Sequence, residues 1–304
     1  MNRMGKMKRE VGFTGRKHRN NWFDYLNYTL MILMVIITIY PLVYVLAGSF
    51  NEGIDYVRGG IYFFPRVFTT DNYVVVLNDP RLWRGYFITV SRTVIGTTSA
   101  LLFTSMVAYA MSRKDLFFRR FFYWVSIFTM FFGGGLIPFF LVINMIGLYN
   151  TFWVYIIPGL YSVFNMLVFI SFFRTIPEDL HEAAIMDGAS EFKIYRMIIL
   201  PLSKPVLSII GLWIAVGHWN AFLDAMIFTV DENLQTLQYY LMKVVRESTM
   251  PAEGVPLPPE ILNTISPETV TLAAIIVSVI PVMIFYPFIH RLATQGVVIG
   301  SLKG

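Results

Sequence analysis

The sequence contains no cysteine, which excludes a disulfide framework and any thiolate-ligated metal centre. Histidine is almost as scarce. His18, His181, His218 and His290 lie far apart and show no metal-ligand spacing. Charge is thin as well: Asp, Glu, Lys and Arg make up 14% of the 304 residues, against about 25% in a soluble domain. A phosphate loop of the form G-x-x-x-x-G-K-[ST] is missing, because Gly133-Gly134-Gly135 lacks both the lysine and the strand-to-helix setting. ATP binding by that device is therefore excluded. There is also no paired-carboxylate, nucleophile–base or metal constellation at a span end, which argues against a membrane-embedded enzyme.

What the chain has in quantity is apolar residues. They make up 56% of it, with a mean hydropathy of +0.60, the composition of an integral membrane protein. The net charge is +5, but the bases sit in short tracts beside apolar runs. That is the topological bias of membrane proteins and not a nucleic-acid stripe.

Runs of about 20 apolar residues suit a bilayer core about 30 Å thick. Six are predicted: Tyr28–Gly48, Tyr86–Met111, Phe121–Ile146, Thr151–Phe173, Val206–Thr229 and Val270–His290. Bases crowd the segment before the first run and the 2–3 connection, with Arg113, Lys114, Arg119 and Arg120. More follow in the 4–5 connection (Arg174, Lys193, Arg196, Lys204) and in the tail (Arg291, Lys303). The opposite side is poorer in bases, so the bias predicts a multi-pass membrane protein with both termini in the cytoplasm. The expected organisation is a basic tail over 1–27, a six-helix bundle over 28–291 and a tail over 292–304. The main cytoplasmic loop spans 174–205, and outer loops span 50–85 and 231–269. A cleaved signal peptide ending near Leu46-Ala47-Gly48-Ser49 is the weaker reading of the N-terminus, since the apolar run is long for one. No lipidation motif or strong internal repeat is present.

Residues 181–205 are charged where their surroundings are not. Pro177, Glu178 and Asp179 suit a helix start, Ala183, Ala184, Ile185 and Met186 continue it, and Asp187-Gly188 ends it. Ser190 is placed to cap a second helix through Phe192, Tyr195, Met197, Ile198 and Ile199, stopped at Pro201. An interfacial amphipathic helix explains this much. The spacing says more. Glu182-Ala183-Ala184, then Gly188, then Ile198-x-Leu200-Pro201 resembles the EAA loop of bacterial ABC importer permeases at each anchor position. Gly147-Leu148-Tyr149-Asn150-Thr151 resembles the GLxNT turn of carbohydrate permeases of the MalG type. The end, Tyr286-Pro287-Phe288 and Gly296 to Gly304, resembles the LplC/YtcP branch of polysaccharide and oligosaccharide permeases, with Gln295 where that branch often has lysine.

The resemblance implies an all-α type I (MetI-like) fold and a non-catalytic subunit with no cofactor of its own. Its implied partners are a second, non-identical permease, a dimer of ATPase subunits that bind the ATP, an extracytoplasmic solute-binding protein and an oligosaccharide. It also implies that Glu182, Ala183, Ala184, Asp187, Gly188, Ile198, Leu200 and Pro201 form the ATPase-coupling loop. The tail (Gly296, Val297, Gly300, Lys303) is implied to reach the ATPase dimer, where its apolar residues would insert as an extended segment.

Within the spans, Trp213, Gly217, Asn220 and Asp224 fall on one face of a continuous helix. That stripe suits a sugar path, with an aromatic face beside an amide and a carboxylate. The weightier reading is a polar seam with a neighbouring helix or with the partner permease. Arg92, Asn165 and His218 are weaker candidates, Arg92 as a residue of the outer interface. The span-3 glycines read as close-packing residues more than as a hinge, with Pro138 kinking the same helix. Leu234, Leu237, Leu241, Val244 and Val245 predict an outer amphipathic helix, followed by Pro251, Pro256, Pro258 and Pro259; it is read as a docking platform, a lid on the permease, or both. The competing function is an ion-gradient-driven secondary transporter or channel, which calls for more intramembrane acids than Asp224.

Overall fold

The computed structural model describes residues 22–247 and 258–301, with side chains of the last helix described as far as Ile284. Among the described residues the chain is mostly helical and has no strand, only one isolated bridge between Asn51 and Phe68. Helix α1 (Trp22–Ser49) is apolar on every side and buried only at Ala47, Gly48 and Ser49. A helix of that kind is at home in lipid. Gly48 is the contact point: a Cβ there would stand 2.4 Å from Leu272 Cδ1.

The 50–85 segment is ordered, as expected. It holds α2 (Gly53–Val57) and α3 (Asp71–Leu77). Buried Asn72 donates to the Ser49 and Asn51 carbonyls at 3.0 and 2.9 Å and accepts from Thr269 at 2.8 Å. Helix α4 (Pro80–Ser112) starts with Pro80 at its first position and Asp79 capping the Arg81 N–H at 2.9 Å. It is the central helix. Gly96, Ala100, Thr104 and Ala108 form a buried stripe at four-residue spacing, and small residues at that spacing let membrane helices approach closely.

The predicted span over 121–146 is not one continuous helix. It divides into α5 (Arg119–Phe131) and α6 (Leu136–Met145), which meet at 118°. The glycines make the break and not a close contact: a Cβ on Gly133 would meet nothing within 4 Å, and Gly135 has φ +84°. Only glycine holds that conformation without strain. Pro138 falls in the first turn of α6, where its missing N–H costs little, and so kinks nothing.

A 3₁₀ stretch over 152–159 leads at 47° into α7 (Val163–Phe173). Helix α8 (Asp179–Met186) follows, then α9 (Glu191–Ile194), a π-turn (Tyr195–Ile199) and α10 (Leu200–Leu202). The chain turns through 82° into α11 (Lys204–Asn220), then forms α12 (Leu223–Phe228), α13 (Leu237–Glu247), α14 (Pro259–Leu262) and α15 (Pro267–Ser301). Among the described residues, three helices are long and apolar enough to cross a membrane alone, or up to six if each bent pair is one span.

Helix α4 packs on α11, α7 and α13, while α15 packs on α1, α11 and α3. Helix α13 lies on this bundle through buried Leu237, Tyr240 and Val244, the lid-like arrangement. Val245 is exposed. Pro251 and Pro256 fall outside the described residues. The tail does not take the extended form expected of it: α15 stays helical through Ser301, carrying Gly296, Val297 and Gly300, while Lys303 lies outside the described residues. Glycine lowers helix propensity by only about 1 kcal/mol against alanine, too little by itself to end a helix.

Candidate functional site

Two sites emerge. The first is the 174–205 loop. At the end of α8 the Gly188 N–H donates to the Ile185 carbonyl at 2.8 Å and the Ala189 N–H to Ala184 at 2.9 Å, with Gly188 at φ +74°. These two bonds define a Schellman turn. The turn leaves α8 with a two-sided character. His181 and Ala184 are buried toward the protein, whereas Leu180, Glu182, Ala183, Ile185 and Met186 face outward, Met186 at 87% exposure. Asp187 and Gly188 are exposed too.

The inner side is held by groups that the sequence reading passed over. His181 Nε2 lies 3.0 Å from Glu191 Oε1, and the Tyr109 hydroxyl of α4 donates to Glu191 Oε2. Glu191 thus ties α8, α9 and α4 together. Lys114 Nζ reaches Glu178 Oε2 at 3.0 Å and holds that carboxyl below its ordinary pKa. Ser190 occupies the N-cap position of α9 but makes no side-chain capping bond. Its expected role is replaced by tertiary contacts of Glu191.

Beyond α9 the helix widens into the π-turn over 195–199 and passes through Pro201 to end at Leu202. Proline does not stop it, because a π-turn relaxes the i→i−4 ladder in which the missing N–H would be needed. Ile194, Tyr195 and Ile199 are buried against α4 and α7, and Ile198 and Leu200 pack on the same cluster. The Tyr195 hydroxyl bonds Ser105 at 2.7 Å, and burial raises its pKa. Of the expected loop residues, then, Glu182, Ala183, Asp187, Gly188 and Pro201 are exposed, while Ala184, Ile198 and Leu200 serve the packing beneath.

The second site corrects the span-5 stripe. Helix α11 ends at Asn220, and Ala221 is extended with ψ 131°. Asp224 therefore starts a new helix, α12, off the face that carries Trp213, Gly217 and Asn220. Its carboxylate is ion-paired with Arg92 of α4. Arg92 is not an interface residue: it is 2% exposed and lies four residues before Gly96 on the small-residue stripe. Its guanidinium stacks over Tyr155, 4.4 Å from the ring centroid, and reaches the Ala221 carbonyl at 3.5 Å. Tyr155 in turn donates to the Leu234 carbonyl at 2.7 Å. The signal was legible in outline, since an arginine in register with buried glycine and alanine must face inward.

His218 faces α4 opposite Gly96, where a Cβ would stand 2.4 Å from Nε2, so it lies away from the stripe, as expected. Asn165 is buried near the start of α7. Trp213 is 50% exposed, and Gly217 and Asn220 are exposed beside it, leaving an uncovered face on α11. The Gly147–Thr151 turn has a defined task. Gly147 takes φ +74° and Asn150 φ +55°. Asn150 Oδ1 accepts the Val230 and Asp231 N–H groups, each at 2.9 Å, and so fixes the exit of α12.

Residues 93–298 match the family described as the inner membrane component of binding-protein-dependent transport systems. The polygalacturonan/rhamnogalacturonan transport system permease protein YtcP of Bacillus subtilis is 33% identical over 94% of this chain and 100% of its own length. Protein LplC of the same organism is 35% identical over 93% of this chain and 95% of its own. A chain from the crystal structure of a bacterial ABC transporter involved in import of the acidic polysaccharide alginate superposes with a TM-score of 0.81. It is 32% identical, with 88% of this chain and 95% of that one covered. The resemblance carried by the Glu182–Pro201 spacing and the Gly296–Gly304 end is thereby borne out. The fold is that of a MetI-like ABC permease, and this chain belongs to the family of inner membrane components of binding-protein-dependent transport systems.

Proposed function

We propose that this chain is one permease subunit of an ABC importer for oligosaccharides or polysaccharide fragments, lining the translocation path with a second, non-identical permease. The observation that carries the reading is α8: a helix latched to the bundle by His181 and Glu191 on one side, bearing exposed Leu180, Ala183, Ile185 and Met186 on the other. An apolar patch that stands outside the spanning helices calls for a partner. In this reading the partner is a cytoplasmic ATPase subunit, Glu182 pairs with a basic residue of it, and the tail from Gly296 contacts the ATPase dimer. The six-span topology with both termini in the cytoplasm belongs to the same proposal.

A solute-binding protein delivers the sugar at the opposite face. The relatives named for polygalacturonan/rhamnogalacturonan and alginate transport support a polysaccharide-derived cargo. The uncovered α11 face at Trp213, Gly217 and Asn220 borders the path or the second permease, with Asp224 removed from it by its pairing to Arg92.

Affinity purification from the native membrane tests the reading. An ATPase and a second permease should accompany the chain, and the complex in nanodiscs should hydrolyse ATP faster when its binding protein carries sugar. A chain that purifies alone, and whose uptake collapses with the ion gradient, would instead be a secondary transporter.

A further inference from the structure

The ends of α4, α5 and α7 and the start of the 174–205 loop enclose a cavity of ≈ 550 Å³. Its wall carries Arg113, Lys114, Arg119 and Arg174 against one carboxylate, Glu178. Lys114 is already paired with Glu178, and Arg113 Nε lies 3.6 Å from Asp115 Oδ1. Among the described residues, the guanidinium groups of Arg119 and Arg174 have no ion-pair or hydrogen-bond partner. Two uncommitted guanidinium forks on one cavity leave their donors for an oxyanion, the ligand that a planar fork of donors fits best.

A second, apolar groove of ≈ 390 Å³ is built from the same helices α4 and α5, lined by Phe103, Val107, Ala110, Leu116, Phe122 and Tyr161. On α5, Arg119 lines the cavity and Phe122, one turn on, lines the groove, while α4 gives Ser112 to the cavity and Ala110 to the groove. Topological bias accounts for bases near span ends. It does not account for two arginines without partners on the wall of one cavity.

We propose that this cavity binds the headgroup phosphate of an anionic phospholipid, with an acyl chain in the α4–α5 groove. Basic pockets between spans at the cytoplasmic side suit such headgroups. A soluble phosphate has the same headgroup chemistry but gains nothing from the groove. The proposal rests on the membrane topology given above and not on the ATPase contact or the sugar.

The test uses the purified complex in nanodiscs of phosphatidylcholine with a graded fraction of phosphatidylglycerol, and native mass spectrometry to count the phosphatidylglycerol retained. Wild type should retain it. Arg119→Gln with Arg174→Gln should weaken retention about 25-fold, about 5-fold per cation removed from an anionic headgroup. Ala110→Trp, which fills the groove and leaves the cations, should also weaken it. Arg120→Gln, an exposed base outside the cavity, should not. Equal retention by the double variant and wild type overturns the site. Loss with the double variant but not with Ala110→Trp, together with displacement by inorganic phosphate, overturns the lipid in favour of a soluble anion. Each readout is independent of ATP hydrolysis, so a failure of the transport reading is seen separately.

Discussion

Arg92 of α4 and Asp224 of α12 lie 132 residues apart in the sequence and form an ion pair inside the bundle. The pair fastens the broken end of span 5 to the central helix, because the same guanidinium also approaches the Ala221 carbonyl that the end of α11 leaves free. A buried charge that loses its partner is far more costly than a pair removed together. Asp224→Ala should therefore destabilise the protein by about 3–5 kcal/mol, read as a fall in detergent-solubilised thermal stability. Arg92→Met with Asp224→Leu should recover most of that loss. If the double variant is as unstable as the single one, the pair does not account for the residue. If the double variant is stable but fails to transport, Asp224 has a role in the path after all.

Gly188 allows an equally direct test. A Cβ at this position would meet nothing within 4 Å, so the constraint is the backbone at φ +74° alone. Gly188→Val should add about 1–2 kcal/mol or more of strain, leave membrane insertion intact, and release the ATPase during purification. Gly188→Asn should retain it, because asparagine tolerates the left-handed region. Loss with asparagine as complete as with valine would mean the side chain, not the turn, matters.

Glu182 is exposed and α8 carries it outward. Glu182→Ala should lower sugar-stimulated ATP hydrolysis while expression and insertion stay normal. Unchanged coupling would remove Glu182 from the ATPase contact.

Glu191 holds the inner side of α8 through His181 and Tyr109. Glu191→Ala should loosen α8 by about 1–3 kcal/mol, the cost of leaving polar partners unsatisfied. Hydrogen exchange should rise at 179–189 and not in α11. An unchanged exchange pattern would contradict the latch.

Tyr240 of α13 donates to Asp79 at 3.0 Å, and its burial, then the Asp79 charge, push its pKa well up. A folded-state pKa above the unfolded one contributes stability that is fully present below about pH 10 and lost as the pH rises through the folded value. Protection of α13 from proteolysis should fall on the alkaline side of pH 10, and Tyr240→Phe should flatten that dependence at a cost of about 1 kcal/mol in neutral solution. An unaltered alkaline profile in Tyr240→Phe would assign the titration elsewhere.

The sequence by itself determined the class, the number of apolar runs and the family resemblance of the 182–201 loop. Those rest on composition, on run length and on the fixed spacing from Glu182 to Pro201, all of which are local quantities. The helix–turn–helix at Gly188 was legible for the same reason, since a positive φ after Asp187 is a property of a few adjacent residues. Tertiary structure decided where spans break. Nothing in Asn220-Ala221-Phe222 forbids a helix, yet α11 ends there because Arg92 offers Asp224 and the Ala221 carbonyl a better partner from another helix. The glycines of span 3 carried both readings, packing and hinge, and only the absence of a neighbour within 4 Å of Gly133 chose between them. Burial of Arg92, pairing of His181 with Glu191, and passage of the chain through Pro201 likewise depend on helices that approach one another across long stretches of sequence. Periodicity gives the face a residue occupies, but what meets that face is set by packing, and packing decided which charges are free to meet a partner.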